Sequence, residues 1–296
     1  MTSLDADFVA TASAKKAWLR ATDVPPVALV FGLAALALIW NLKAGLIFAM
    51  PLGLIVAGPF VCFALSAFYT LKRPEPKIAQ TALYAGLWLF YPAFGVELSY
   101  LLTRLDFPLR DAWLLHVDQA LGFDWMGWAR FVLAHPLVKF ITDTAYSSSF
   151  IQPLAAIVIL AFSGPRNRNG EFLTSVMIGL GLSMIFYGLM PNAGPAAQFH
   201  VPAEQSRIIG LLRSGFAGPY NYTGIISFPS FHTVMAILFT LGQRGNRFWF
   251  AGFGVLNLLM LGGVPFQGDH YLTDMIAGMG IATLSFFAAR RIYRAA

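Results

Sequence analysis

Charge is what this chain has least of. Asp, Glu, Lys and Arg together make up 11% of its 296 residues, while 57% are hydrophobic. A soluble domain of this length keeps about a quarter of its residues charged, so that class is excluded. Cysteine is nearly absent too. Cys62 is the only one, which rules out an internal disulfide and any zinc site built on cysteine pairs, and leaves the redox compartment unmarked. The sequence holds no H-E-x-x-H run, no internal repeat and no low-complexity segment. Its first 22 residues are polar and mixed, and no small-residue cleavage site follows the first apolar run. They are expected to lead into a retained span rather than a cleaved signal peptide. The net charge of +6 comes from basic residues scattered between apolar runs, which is how topology determinants look and not how a nucleic-acid patch looks.

Long apolar runs are abundant instead. They fall near 24–42, 46–71, 80–103, 137–163, 171–190, 229–243, 246–265 and 270–292. Most are close to the roughly 20 residues that cross a hydrocarbon core. The expected fold is therefore an all-α integral membrane protein with about eight transmembrane helices. The run at 229–243 is short, so its start should lie below the membrane surface. Pro51 and Pro59 predict a kinked second span. Residues 107–135 carry Arg110, Asp111, Asp118, Asp124 and Arg130, too much charge for a span. Trp113, Trp125 and Trp128 suit a helix lying at the interface. Thirteen of the twenty Lys and Arg residues fall on the side of both termini, Lys15, Lys16, Arg290 and Arg291 among them. The positive-inside rule puts that side in the cytoplasm of an inner or plasma membrane.

Two histidines then come out on the opposite, extracytoplasmic face, each opening a span. His232 follows Phe228-Pro229-Ser230-Phe231, and His270 starts the string His270-Tyr271-Leu272-Thr273-Asp274. His270 and Asp274 are four residues apart and share a helix face. Asp274 can accept a hydrogen bond from one ring nitrogen of His270, fix its tautomer and aim the other nitrogen outward as a nucleophile. Protonated His232 can give a proton to a leaving alkoxide, a role worth about 10²–10⁴-fold. Ser230, after Pro229, is a natural N-cap, and its hydroxyl and the free amides of the next turn would suit a phosphate oxygen. These are the parts of phosphoryl transfer. Packing roles for the histidines, a zinc site from His232, His270 and Asp274, and a non-enzymatic transporter or scaffold with a polar core are the other readings of the same residues.

At these positions the chain resembles the type-2 phosphatidic acid phosphatase superfamily. Pro229-Ser230-Phe231-His232 is similar to its Pro-Ser-Gly-His signature, and His270 through Asp274 to its His-x-x-x-Asp. Phe231, Tyr271 and the turn Met190-Pro191-Asn192-Ala193-Gly194-Pro195 look more like the inositol phosphorylceramide synthase and sphingomyelin synthase branch. The resemblance covers about 80–292. It implies a six-helix catalytic core at 80–296 with its interfacial helix near 107–135, and leaves 1–79 as a cytoplasmic segment plus two additional spans. It also implies a phosphohistidine on His270, acid–base work by His232, and neither metal nor cofactor.

The departures carry information. Ser183, Met190 and Val264 stand where the superfamily pattern has Lys, Arg and Arg. A phosphomonoester carries nearly two negative charges and leans on such cations. A phosphodiester carries one, for which Ser230, Gln267, Asn192 and helix amides would serve. The expected partners are thus a phospholipid donor and a lipid or alcohol acceptor, with water as acceptor in the phosphatase alternative. Arg207 and Arg213 are candidates to replace the lost charge. Glu97, Lys139, Asp143 and Tyr146 map to the outer halves of their spans and are candidates for a headgroup or acceptor pocket, Lys139 and Asp143 being spaced to pair. Tyr220, with His200 and Tyr222, lies in the long 191–228 loop, which is expected to form a lid. Asp269 beside a phosphate would be repulsive.

Overall fold

A computed structural model describes residues 18–295. Residues 1–17, which include Lys15 and Lys16 of the expected cytoplasmic segment, and residue 296 lie outside the described residues.

The described residues form thirteen α-helices, two 3₁₀ turns and no strand. The helices are α1 (Val24–Ala44), α2 (Leu52–Leu71), α3 (Pro76–Thr103), α4 (Asp111–Ala120), α5 (Trp125–Ala134), α6 (Pro136–Ser147) and α7 (Gln152–Ser163). They continue with α8 (Arg166–Leu189), α9 (Pro195–Gln198), α10 (Glu204–Arg213), α11 (Phe231–Gly242), α12 (Arg247–Gln267) and α13 (Leu272–Ala295). By length and composition α1, α2, α3, α8, α12 and α13 can each cross a membrane. The α6–α7 pair, bent by 58°, makes a seventh span if taken together. Helix α11 has 12 residues, about 18 Å at the ~1.5 Å rise per residue of a helix, and is too short to cross a core of ~30 Å alone. The count is therefore six or seven full spans plus a half-depth helix, where the sequence suggests about eight.

Local chemistry sets these boundaries. Pro25 and Pro26 occupy the first turn of α1, where a missing N–H costs nothing. Gly45, at φ +67°, closes that helix in the left-handed conformation. The run that begins at 46 becomes helical only at Leu52, because Pro51 disfavours helix in the residue before it. Pro153, in the first turn of α7, separates α6 from α7 at the bend in the same way.

Helices α3 and α8 form the centre. Of their most apolar windows 67% is buried, against 17% for α1 and α2, whose outward faces are left for lipid. The α1–α2 connection is stitched to the long loop before α11. Ile47 N–H donates to Ala217 (2.8 Å), Tyr220 N–H to Ile47 (2.9 Å) and Ala49 N–H to Tyr220 (2.8 Å). Arg104, at the end of α3, donates to the carbonyls of Ala44 and Phe216 from the same corner. The loop thereby covers the end of the bundle where the histidines lie.

Candidate active site

Helices α11 and α13 begin side by side, and a backbone hydrogen bond joins their starts: Ser230 N–H donates to the Asp274 carbonyl at 3.0 Å. Close approach is possible because Gly278 faces this junction, where a side chain would meet the Ser230 carbonyl at 2.6 Å. This contact brings the two histidine segments together. The His232 and His270 ring centroids are 6.1 Å apart with their planes at 65°.

His270 is buried, and its Nδ1 lies 3.4 Å from Asp274 Oδ2. Asp274, fully buried, also accepts the Tyr271 N–H (3.0 Å) and the Asn192 side-chain amide (3.3 Å). It thus serves the first orphan donor of α13 as well as the ring. The next donors go elsewhere. Asp118, on α4, accepts from Leu272 N–H (2.7 Å), Thr273 N–H (2.9 Å) and the Thr273 hydroxyl (2.6 Å). Asp111, one helical repeat earlier on α4, accepts from the N–H groups of Ala193 and Gly194 and from the Tyr271 hydroxyl. Burial pushes the Asp111 carboxyl above its ordinary value against these hydrogen bonds. The charged stretch expected at the interface is therefore also the clamp that holds the start of α13 and the Asn192 turn. Sequence reading left both aspartates without a role. Their seven-residue spacing, one face of a helix, is the signal that points to them.

His232 has a different partner. The Tyr146 hydroxyl, on α6, lies 3.2 Å from His232 Nδ1, and the two rings stack at 4.2 Å. Gly268 closes the far side: a methyl there would sit 2.6 Å from His270 Cδ2, 2.8 Å from the Val264 carbonyl and 3.1 Å from the Tyr146 hydroxyl.

Both histidines line a cavity of about 400 Å³. Tyr146, Ser149 and Gly268 edge it near the rings, and it runs on between apolar side chains of α3, α8 and α11, such as Trp88, Val96, Leu180 and Met235. Met50 and Ile55, at the start of α2, and Tyr222 of the covering loop complete its wall. Among the described residues no Lys or Arg lines it. Ser183 and Val264 are both fully buried.

The other sequence candidates fall in several places. Ser230 is fully buried and its hydroxyl accepts the Thr233 N–H at 3.4 Å, so it caps α11 and does not line the cavity. Gln267 donates to Asp143 (2.6 Å) and Thr142 (2.9 Å), next to the Lys139–Asp143 ion pair. Glu97 is buried on α3. Arg207 is held by Glu204 one turn away on α10, at 2.7 and 2.5 Å, in an exposed position. Arg213 pairs with Asp106 at 3.2 Å and donates to the Phe107 carbonyl. The Tyr220 hydroxyl donates to the Phe216 carbonyl, and its ring packs on Tyr100. Arg207, Arg213 and Tyr220 thus have local partners and lie outside the cavity wall. Asp269 turns away from the rings: it has φ +52°, and its carboxylate accepts the Ala196 N–H at 2.8 Å. Burial, with Asp274 and Asp111 nearby, pushes its carboxyl up to about 7. Among the described residues no three His, Cys, Asp or Glu side chains gather in a metal-holding arrangement.

Comparison with known proteins adds one match. The family model described as the PAP2 superfamily matches residues 112–288, more than half of the chain, beginning inside α4 and leaving α1 to α3 outside. No curated protein and no solved structure matches.

Proposed function

Because this chain belongs to the PAP2 superfamily, whose activities are phosphatase or phosphotransferase reactions on lipid-like substrates, we propose that it is a membrane lipid phosphotransferase working through a phosphohistidine. The observation that carries the reading is the pair of imidazoles, 6.1 Å apart, at one end of a largely apolar cavity. Such an arrangement holds a phosphate between two rings and leaves the hydrocarbon part of the same molecule in apolar surroundings.

In the first half-reaction His270 Nε2 attacks phosphorus while Asp274 holds Nδ1–H. The P–N bond forms as the bond from phosphorus to the departing alkoxide breaks, and His232 gives its Nε2 proton to that oxygen. In the second half an acceptor hydroxyl loses its proton to His232 and attacks the phosphohistidine, which returns both rings to their starting state. The absence of Lys and Arg from the cavity wall among the described residues favours a singly charged phosphodiester as donor over a doubly charged monoester. Asn192 and Gln267 act from behind, through Asp274 and Asp143. In this reading α1 and α2 are an N-terminal addition to the catalytic helices, both termini are cytoplasmic, and the histidines face the extracytoplasmic side.

The test is to incubate purified protein with labelled phospholipids, with and without alcohol acceptors, and identify the products. Transfer of the phospho-headgroup to the alcohol is expected. Release of the free phospho-headgroup from a diester lipid, or of inorganic phosphate from a monoester lipid, with no transfer to the alcohol, makes water the acceptor and the protein a lipid phosphatase.

A further inference from the structure

The two imidazoles of the site are backed by different chemistry. His270 has a carboxylate behind its Nδ1, at 3.4 Å. His232 has a phenol hydroxyl behind its Nδ1, at 3.2 Å, and the phenol ring lies over its own ring at 4.2 Å. Tyr146 comes from α6, which neither histidine segment belongs to, and it also lines the cavity.

We propose that Tyr146 is the positioning residue of His232, and that the contrast between a neutral and an anionic backing group sorts the two rings into acid–base catalyst and nucleophile. This rests on the reading given above. A ring nitrogen that holds a hydrogen bond fixes which nitrogen faces the reaction. With Nδ1–H directed at the Tyr146 oxygen, Nε2 of His232 faces the cavity in both of its states: protonated before the leaving group departs, and bare before the acceptor arrives. An anionic partner would stabilise the imidazolium and hold that proton more tightly, whereas a neutral hydroxyl lets it go to an alkoxide. For His270 the requirement is the opposite, since a carboxylate behind Nδ1 favours the positive charge that the ring gains on bonding to phosphorus. Stacking against the phenol removes the ring's rotational freedom, and the missing side chain at Gly268, where a methyl would lie 3.1 Å from the hydroxyl, leaves the hydroxyl its place.

The experiment uses leaving-group chemistry to separate positioning from structure. The full-length protein in detergent is assayed with a phospholipid donor, whose alkoxide must be protonated, and with a p-nitrophenyl phosphodiester, whose phenolate leaves without a proton. Tyr146→Phe keeps the stacked ring and removes the hydroxyl. It should lower kcat on the lipid by about 10²-fold, the scale of a general acid, and change formation of phosphoenzyme from the p-nitrophenyl ester by less than about threefold. Tyr146→Gln supplies an amide oxygen for Nδ1–H and should recover part of the lipid activity, and it takes the same substrate comparison if the Phe variant does not fold. Equal losses on both substrates would overturn the proposal, as would no loss on either. His270→Ala serves as the control for the underlying reading. If it still reacts with the p-nitrophenyl ester, the phosphohistidine is wrong, whatever Tyr146 does.

Discussion

Asp118 accepts hydrogen bonds from the backbone N–H and the hydroxyl of Thr273, 155 residues further along the chain, and so fixes the first turn of the helix that carries Asp274. A buried carboxylate at a helix N-terminus meets the unpaired donors and the positive end of the helix dipole together. Asp118→Ala leaves three donors without their acceptor. The expected cost is about 1–3 kcal/mol of stability, read as a lowered unfolding midpoint in detergent, with a fall in turnover because His270 sits just before that turn.

Asp274 Oδ2 lies 3.4 Å from His270 Nδ1, and Asp274 does not line the cavity. Asp274→Asn keeps the shape and removes the charge. Turnover should fall by about 10²–10⁴-fold, as when a histidine loses the carboxylate that sets its tautomer, with little change in KM. An unchanged kcat would remove Asp274 from the site.

Gly268 packs tightly against His270 and Val264. Gly268→Ala puts a methyl 2.6 Å from His270 Cδ2 and 2.8 Å from the Val264 carbonyl, and the carbonyl, being helical backbone, does not yield. Overpacking of this kind costs about 1–3 kcal/mol. Loss of activity should exceed the loss of stability, since His270 is the atom group nearest the clash. Circular dichroism melts and turnover on one preparation check both.

Spans and histidine pair were open to sequence reading for simple reasons. Apolar runs of membrane length have few alternatives in water or lipid, and His270 and Asp274 are close enough in sequence for helical spacing to join them. What could not be read came from contacts between distant segments. Asp111 and Asp118 looked like ordinary charges of an interfacial helix until α4 was seen against the start of α13. Tyr146 looked like one more polar group in the outer half of a span. Arg207 and Arg213 drew attention as spare cations, yet Glu204 and Asp106 already neutralise them. Ser230 was legible as a cap, and capping is what its hydroxyl does.

Asp269 gives a pH dependence whose sign is fixed. Its carboxyl is raised to about 7 from an ordinary 3.8, chiefly by burial. Its contribution to stability is therefore fully present below its unfolded value and is lost as pH rises through about 7, because ionisation is harder in the fold than out of it. The unfolding midpoint should decline between about pH 4 and pH 7 for this reason. In Asp269→Asn that part of the decline should vanish, and a slope identical to the parent protein's would show that the carboxyl is ionised throughout.

The apolar end of the cavity should govern affinity for the hydrocarbon part of the substrate. Val96→Trp adds bulk to its α3 wall. KM for a long-chain phospholipid should rise about tenfold or more, the scale of losing one or two kcal/mol of apolar contact, while a p-nitrophenyl diester without chains should react as before.

The phosphorus–nitrogen bond itself is the most direct thing to measure. Protein mixed briefly with phosphorus-labelled phospholipid, quenched in alkali and digested, should yield one labelled peptide bearing the phospho-headgroup on His270. Label on any other residue, or full turnover in His270→Ala with no labelled peptide at all, would contradict the account.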